Sequence, residues 1–195
     1  MKVAGVVLAA GASTRMGESK ALLRTGGQTF LDSLSTALAL GGCDPVLAVV
    51  AEPSDEIRAG CRLEGVRLVV NPDPSRGQIS SLRCAIGELD ETVLGMVVLL
   101  VDQGSIKADT VSRVRKALAD SPVAVARHSG RPGHPTGFSR EVFRELESGL
   151  ADEGARAVVD AAQQAGRAEE VDVDDPGVVR NINTKERYLA FLAEL

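Results

Sequence analysis

Five short apolar runs, Val3–Ala9, Val46–Ala51, Val66–Val70, Met96–Val101 and Val123–Ala126, recur through the first two thirds of the chain. They are rich in β-branched residues and, apart from Arg67, continuous rather than alternating with polar ones. A strand that is apolar on both faces must be covered on both faces, which is the mark of a parallel sheet between two layers of helix. Segments with helical spacing stand between the runs, at Phe30–Leu40, Ser54–Leu63, Ile79–Leu89 and Ala108–Ala119. Strand and helix therefore alternate. The expected fold class is α/β, a doubly wound and mostly parallel sheet in a single domain spanning residues 1–195.

Local chemistry sets several boundaries. Ser54 precedes Asp55 and Glu56, the pattern of a helix N-cap followed by acids in the first turn, and Gly41-Gly42 ends the preceding helix. After Arg127 the rhythm changes to a glycine- and proline-containing passage, "HSGRPGHPTGF". Helices near Ser139–Glu147 and Glu153–Gln164, a short strand at Glu170–Val173 and a last helix from Thr184 follow. No repeat, linker or low-complexity tract interrupts this tail, which is expected to fold onto the same domain and close one side of the site.

The net charge of −5 leaves no basic footprint for nucleic acid, so any anion must be bound locally. Cys43, Cys61 and Cys84 are odd in number and lack close metal-type spacing, which argues for reduced thiols in the cytoplasm. The apolar start at Val3 is short and has only Lys2 before it, and it runs into a polar loop. It reads as neither a signal peptide nor a membrane span.

That loop carries the chemistry. In "VVLAAGASTRMGESKALL", residues 6–23, Gly11 and Gly17 let backbone approach a ligand, and Ala9, Ala10, Ala12 and Ser13 keep side chains out of the way. Arg15 offers a planar fork of donors and Lys20 a mobile point charge, and both stabilise phosphate oxygens. The spacing is neither a Walker A loop nor a G-x-G-x-x-G fingerprint, so ATPase and NAD-binding readings fall away. Asp102 follows "MVVLLV" directly, so its carboxylate stands at a strand end, as a ligand for Mg²⁺ and phosphate or as a cap for the next turn. Asn71, Gly77, Ser80 and Ser81 follow the third run, at and before the start of the next helix, placed for base, ribose or phosphate contacts or for capping.

Taken together these segments resemble a known family. "LAAGASTRMGESKALL" is similar to the signature of small MobA-like nucleotidyltransferases, and within them it most resembles the molybdenum cofactor cytidylyltransferases. "NPDPSRGQISSLRCAI", "VVLLVDQ", "GRPGHPTGFSREVFREL", "DEGARAVV" and "NINTKERY" resemble further segments of that family in the same order along nearly the whole chain. The resemblance implies a Rossmann-like nucleotidyltransferase fold and Mg²⁺-dependent transfer of CMP from CTP to molybdopterin cofactor, with release of pyrophosphate. It implies nucleotide contacts from Leu8, Ala9, Ala10, Gly11, Lys20, Asn71, Gly77 and Ser81, with Arg15, Lys20 and Asp102 as the catalytic groups. His134, Gly154 and Arg156 would face the acceptor, although Arg156 equally suits a helix surface; His128 reads as structural. A molybdoenzyme or its chaperone would receive the product.

Two departures bear on the metal. Gly104 stands where the family has proline, which is expected to loosen the turn that aims Asp102. Asn181 and Asn183 stand where acids are expected, so as metal ligands they would bring oxygens without charge. "LAAG" and "SK" lean towards CTP, because the guanylyltransferase relatives tend to carry L-A-G-G and D-K. Alternatives on the same fold are GTP or another phosphorylated acceptor, or a nucleotide-binding regulatory or chaperone module without turnover.

Overall fold

The computed structural model of the chain describes residues 1–11, 19–148 and 154–194. In chain order it runs β1 (Ala4–Leu8), β2 (Arg24–Thr25), β3 (Gln28–Thr29), α1 (Phe30–Leu40), β4 (Val46–Ala51), α2 (Asp55–Gly60), β5 (Val66–Asn71) and α3 (Gln78–Gly87). The second half runs β6 (Gly95–Leu100), α4 (Ala108–Ala117), β7 (Val123–His128), β8 (Arg131–Ser139), α5 (Phe143–Glu147), α6 (Ala155–Gln164), β9 (Ala168–Asp172) and α7 (Lys185–Ala193). Among the described residues seven strands form one sheet in the order β5-β4-β1-β6-β8-β7-β9, while β2 and β3 pair as a small ribbon. Strands β5, β4, β1 and β6 are parallel, β8 is antiparallel to both β6 and β7, and β9 returns parallel to β7.

The continuous apolar runs are explained by two cores, one on each face. Val7, Leu99 and Val97 point to the side covered by Leu31, Leu34 and Leu38 of α1 and by Val111 and Val114 of α4. Val6, Val98 and Met96 point to the other side, under Ile79, Leu82 and Ala85 of α3 and Val158 and Ala162 of α6. Burying one aliphatic side chain of this size stabilises the fold by about 1.5–3 kcal/mol. No helix among the described residues is long and apolar enough to cross a membrane.

Helix ends follow their side chains, with one correction. The Thr29 hydroxyl caps α1, accepting from Asp32 N at 3.1 Å, and the helix stops before Gly41. Ser54 occupies the cap position of α2, yet its hydroxyl caps nothing; it contacts Glu52 and Arg58 side chains instead. That helix is also shorter than its spacing suggests. The amides of Arg62 and Leu63 donate to the Asp32 carboxylate, at 3.0 and 3.2 Å, rather than continuing the helical ladder.

The larger difference is "HSGRPGHPTGF", a passage to which the sequence pattern assigns no element and most of which is β8. Ser129 and Gly130, with φ of 50° and 75°, make a two-residue hairpin turn of the kind that matches strand twist. Pro132 and Pro135 are tolerated because β8 pairs with β6 only from Thr136 to Ser139, so neither proline faces a β6 ladder position that needs an amide donor.

Candidate functional site

The chain leaves β1 for β4 and β5 on one side, then returns to place β6 on the other. The carboxyl ends of β1 and β6 thus flank a topological switch point, the crevice where open α/β sheets bind ligands. Leu8 and Leu100 are direct register partners there, and both line two adjoining cavities. The smaller, of about 210 Å³, is walled by Ala10, Gly11, Lys20, Gly77, Ser81 and Asp102. The larger, of about 610 Å³, is lined by His134, Gly154, Arg156 and Arg76 against apolar residues such as Leu82 and Phe138. Gly77 and Gln78 border both.

Lys20 lies on a short 3-10 turn, Lys20–Leu22, and Asp102 on another, Val101–Gln103, that closes β6. Their charged groups stand 3.8 Å apart, each side chain 18% exposed. Burial pushes the Asp102 carboxyl above its usual range, and the Lys20 ammonium beside it pulls the other way. Ile182 N donates to Asp102 O at 2.7 Å, tying the Asn181–Asn183 segment to the end of β6. Lys20 donates to Asn183 Oδ1, and Asn183 Nδ2 donates to Asn181 Oδ1.

A divalent cation would meet few charged donors here. Among the described residues no three His, Cys, Asp or Glu side chains gather to hold a metal ion. Asp102 alone fits Mg²⁺, which commonly takes one or two carboxylates and fills its shell with substrate phosphates and water. The carboxamide oxygens of Asn181 and Asn183 are hydrogen-bonded within the protein.

Gly104 does not loosen the turn. Its φ of +72° is open to glycine and closed to proline, whose ring holds φ near −65°. A Cβ there would come within 2.8 Å of Phe30 Cζ and 3.0 Å of Ile182 Cδ1, so the turn is packed tightly against the core.

His134 Nδ1 lies 3.4 Å from Val98 O. A carbonyl only accepts, so Nδ1 carries the proton and Nε2 is left as an acceptor. Burial pushes the imidazole pKa down to about 4, which keeps the ring neutral near pH 7. Arg156, largely exposed, pairs with Asp160 at 2.7 Å along α6 while bordering the larger cavity. His128 meets Val173 O at 3.1 Å, away from both cavities.

Not every expected residue reaches a cavity wall. Asn71 is 1% exposed, and its amide donates to Ser80 Oγ at 2.8 Å and Ser81 Oγ at 2.9 Å, holding the start of α3 from behind. Ala9 sits in the core, its amide donating to Val49 O. Arg15 lies outside the described residues.

Sequence reasoning missed two side chains. Arg76 stands exposed at the rim of the larger cavity, one residue before Gly77. Gln103, 2% exposed, accepts from Leu100 N at 3.0 Å and donates to His134 O at 3.0 Å and Gly177 O at 3.2 Å. The only sequence signal was an amide following a buried run beside Asp102; its carbonyl partners are distant in sequence.

The chain has relatives among known proteins. The domain model for the MobA-like NTP transferase domain matches residues 5–168. Nicotine blue oxidoreductase of Paenarthrobacter nicotinovorans is 30% identical over 97% of this chain and 96% of its own length. Purine catabolism protein PucB of Bacillus subtilis (strain 168) is 31% identical over 94% of this chain and 93% of its own. Among solved structures, Rv0371C of Mycobacterium tuberculosis H37Rv in complex with manganese has a TM-score of 0.82 at 28% identity, covering 100% of both chains.

Proposed function

The chain belongs to the MobA-like NTP transferase family, and from that premise we propose that this nucleotidyltransferase moves CMP from CTP to molybdopterin cofactor and releases pyrophosphate. The observation that carries the reading is one cavity at the switch point with Lys20 and Asp102 on its wall, opening beside a second cavity that holds His134.

Nucleotidyl transfer asks mainly for positioning and for charge stabilisation on the departing pyrophosphate. Ala10 and Gly11 present little side chain, so backbone can approach a triphosphate. Gly77, with φ of +81° and open space where a Cβ would stand, is the N-cap of α3, whose first-turn amides would meet phosphate. Lys20 supplies a mobile positive charge, and Arg15 would add a planar fork of donors. Mg²⁺ bound through Asp102 would neutralise charge on the phosphates.

The acceptor phosphate is already anionic near neutral pH, so no strong general base is required. Neutral His134 would accept an N–H or O–H from a pterin, and Arg76 and Arg156 would meet anionic groups at the mouth. The "LAAG" and "SK" of the first loop support CTP as donor. The product would pass to a molybdoenzyme or its chaperone.

A second reading changes the acceptor or the base, and the names of the two relatives, an oxidoreductase and a purine catabolism protein, favour keeping it. A third, nucleotide binding without turnover, draws on the hydrogen-bonded Asn181 and Asn183.

Calorimetric titration with CTP, GTP, ATP and UTP, each with and without Mg²⁺, separates these, followed by pyrophosphate release in the presence of molybdopterin cofactor. CTP-selective, Mg²⁺-dependent binding with release is expected. Selective binding without release against that acceptor moves the assignment to the second or third reading, and no nucleotide binding removes it.

A further inference from the structure

Of the described residues lining the smaller cavity, Asp102 is the one acid and Lys20 the one cation. Their 3.8 Å separation, with both side chains mostly withdrawn from water, makes the attraction stronger than that of an ordinary surface pair. The neighbouring oxygens are engaged as well. Asn183 Oδ1 accepts from Lys20, Asn181 Oδ1 accepts from Asn183, and Asn181 O accepts from Arg187 Nη1 at 3.0 Å. The backbone bond from Ile182 N to Asp102 O keeps this segment against Asp102, so one ammonium reaches both.

A bare divalent cation arriving here meets a carboxylate already neutralised and carboxamides already bonded. It would have to shed tightly held water for little in return. A nucleoside triphosphate changes both terms, because its oxygens attract the Lys20 ammonium and also ligate the metal.

We propose that Lys20 is the resident counter-ion of Asp102, and that the site takes a divalent cation only together with a nucleoside triphosphate, which draws Lys20 away. The proposal rests on the nucleotidyl-transfer reading and adds an order to its binding steps. Thermodynamic linkage makes the effect reciprocal: the metal strengthens nucleotide binding by the factor by which nucleotide strengthens metal binding.

The test measures free Mn²⁺ by electron paramagnetic resonance in three titrations: the wild-type chain alone, the wild-type chain with CTP, and Lys20→Met alone. Mn²⁺ held by CTP in buffer is subtracted. The wild type should bind Mn²⁺ at least about tenfold more weakly alone than with CTP, and Lys20→Met alone should gain about tenfold over the wild type alone. An unchanged thermal midpoint shows that the variant is folded, and the two wild-type titrations do not depend on it. Equal Mn²⁺ affinity with and without CTP overturns the coupling. No gain in Lys20→Met overturns the counter-ion role. Failure of CTP, GTP, ATP and UTP alike to bind overturns the transfer reading, and the coupling with it, even where Lys20→Met gains Mn²⁺.

Discussion

The imidazole of His134 is held neutral by burial, against the opposing pull of the Val98 carbonyl, and that has a consequence for stability. An unfolded chain protonates this ring near its ordinary pKa of 6.5, whereas the folded chain does so only at about 4. Between those values the unfolded state binds more protons, so stability falls as pH drops; above the ordinary value the ring adds no slope. Thermal midpoints measured through that window should fall more steeply for the wild type than for His134→Asn, and parallel curves would contradict a buried neutral ring. At this scale residue type was legible and conformation was not. Lys20 and Asp102 were readable as a phosphate-binding cation and a strand-end carboxylate, because charge and position after an apolar run are local properties. The φ of +72° at Gly104 was hidden, because what enforces it is the packing of Phe30 and Ile182, remote in sequence.

Elements divide in the same way. The parallel strands and the helices between them were legible because their periodicity is written along one segment. β8 was not, because glycine and proline advertise a turn, and only pairing with β6 and β7 makes that stretch extended. Gln103 joins these elements, linking the end of β6 to β8 and to the turn at Pro176–Val179. Gln103→Leu would leave His134 O and Gly177 O without that donor inside the protein. It should cost about 1–3 kcal/mol in urea unfolding. A loss below about half a kcal/mol, the range of an ordinary surface change, would show that the amide does not hold these elements together.

For the whole molecule, the order β5-β4-β1-β6 puts Lys20 and Asp102 side by side although about 80 residues separate them in the chain. A ligand that bridges such parts binds the folded chain and not the unfolded one. Nucleotide with Mg²⁺ at a hundred times its dissociation constant should therefore stabilise the protein by about 2.7 kcal/mol. For a chain of this size that raises the thermal midpoint by roughly 5–10 °C. A midpoint that stays put at saturating CTP, GTP, ATP and UTP would remove the site from the switch point.

The amino-acid sequence by itself determined the α/β class, the two-sided burial of the strands and the kinds of group offered to a ligand. Each follows from hydrophobic pattern and side-chain chemistry over a few neighbouring residues. Only the tertiary structure decided that Lys20 lies against both Asp102 and Asn183, that Gln103 supports His134, and that two cavities share a wall at Leu8 and Leu100. Those are meetings between distant segments, set by strand order and by which buried polar groups find partners.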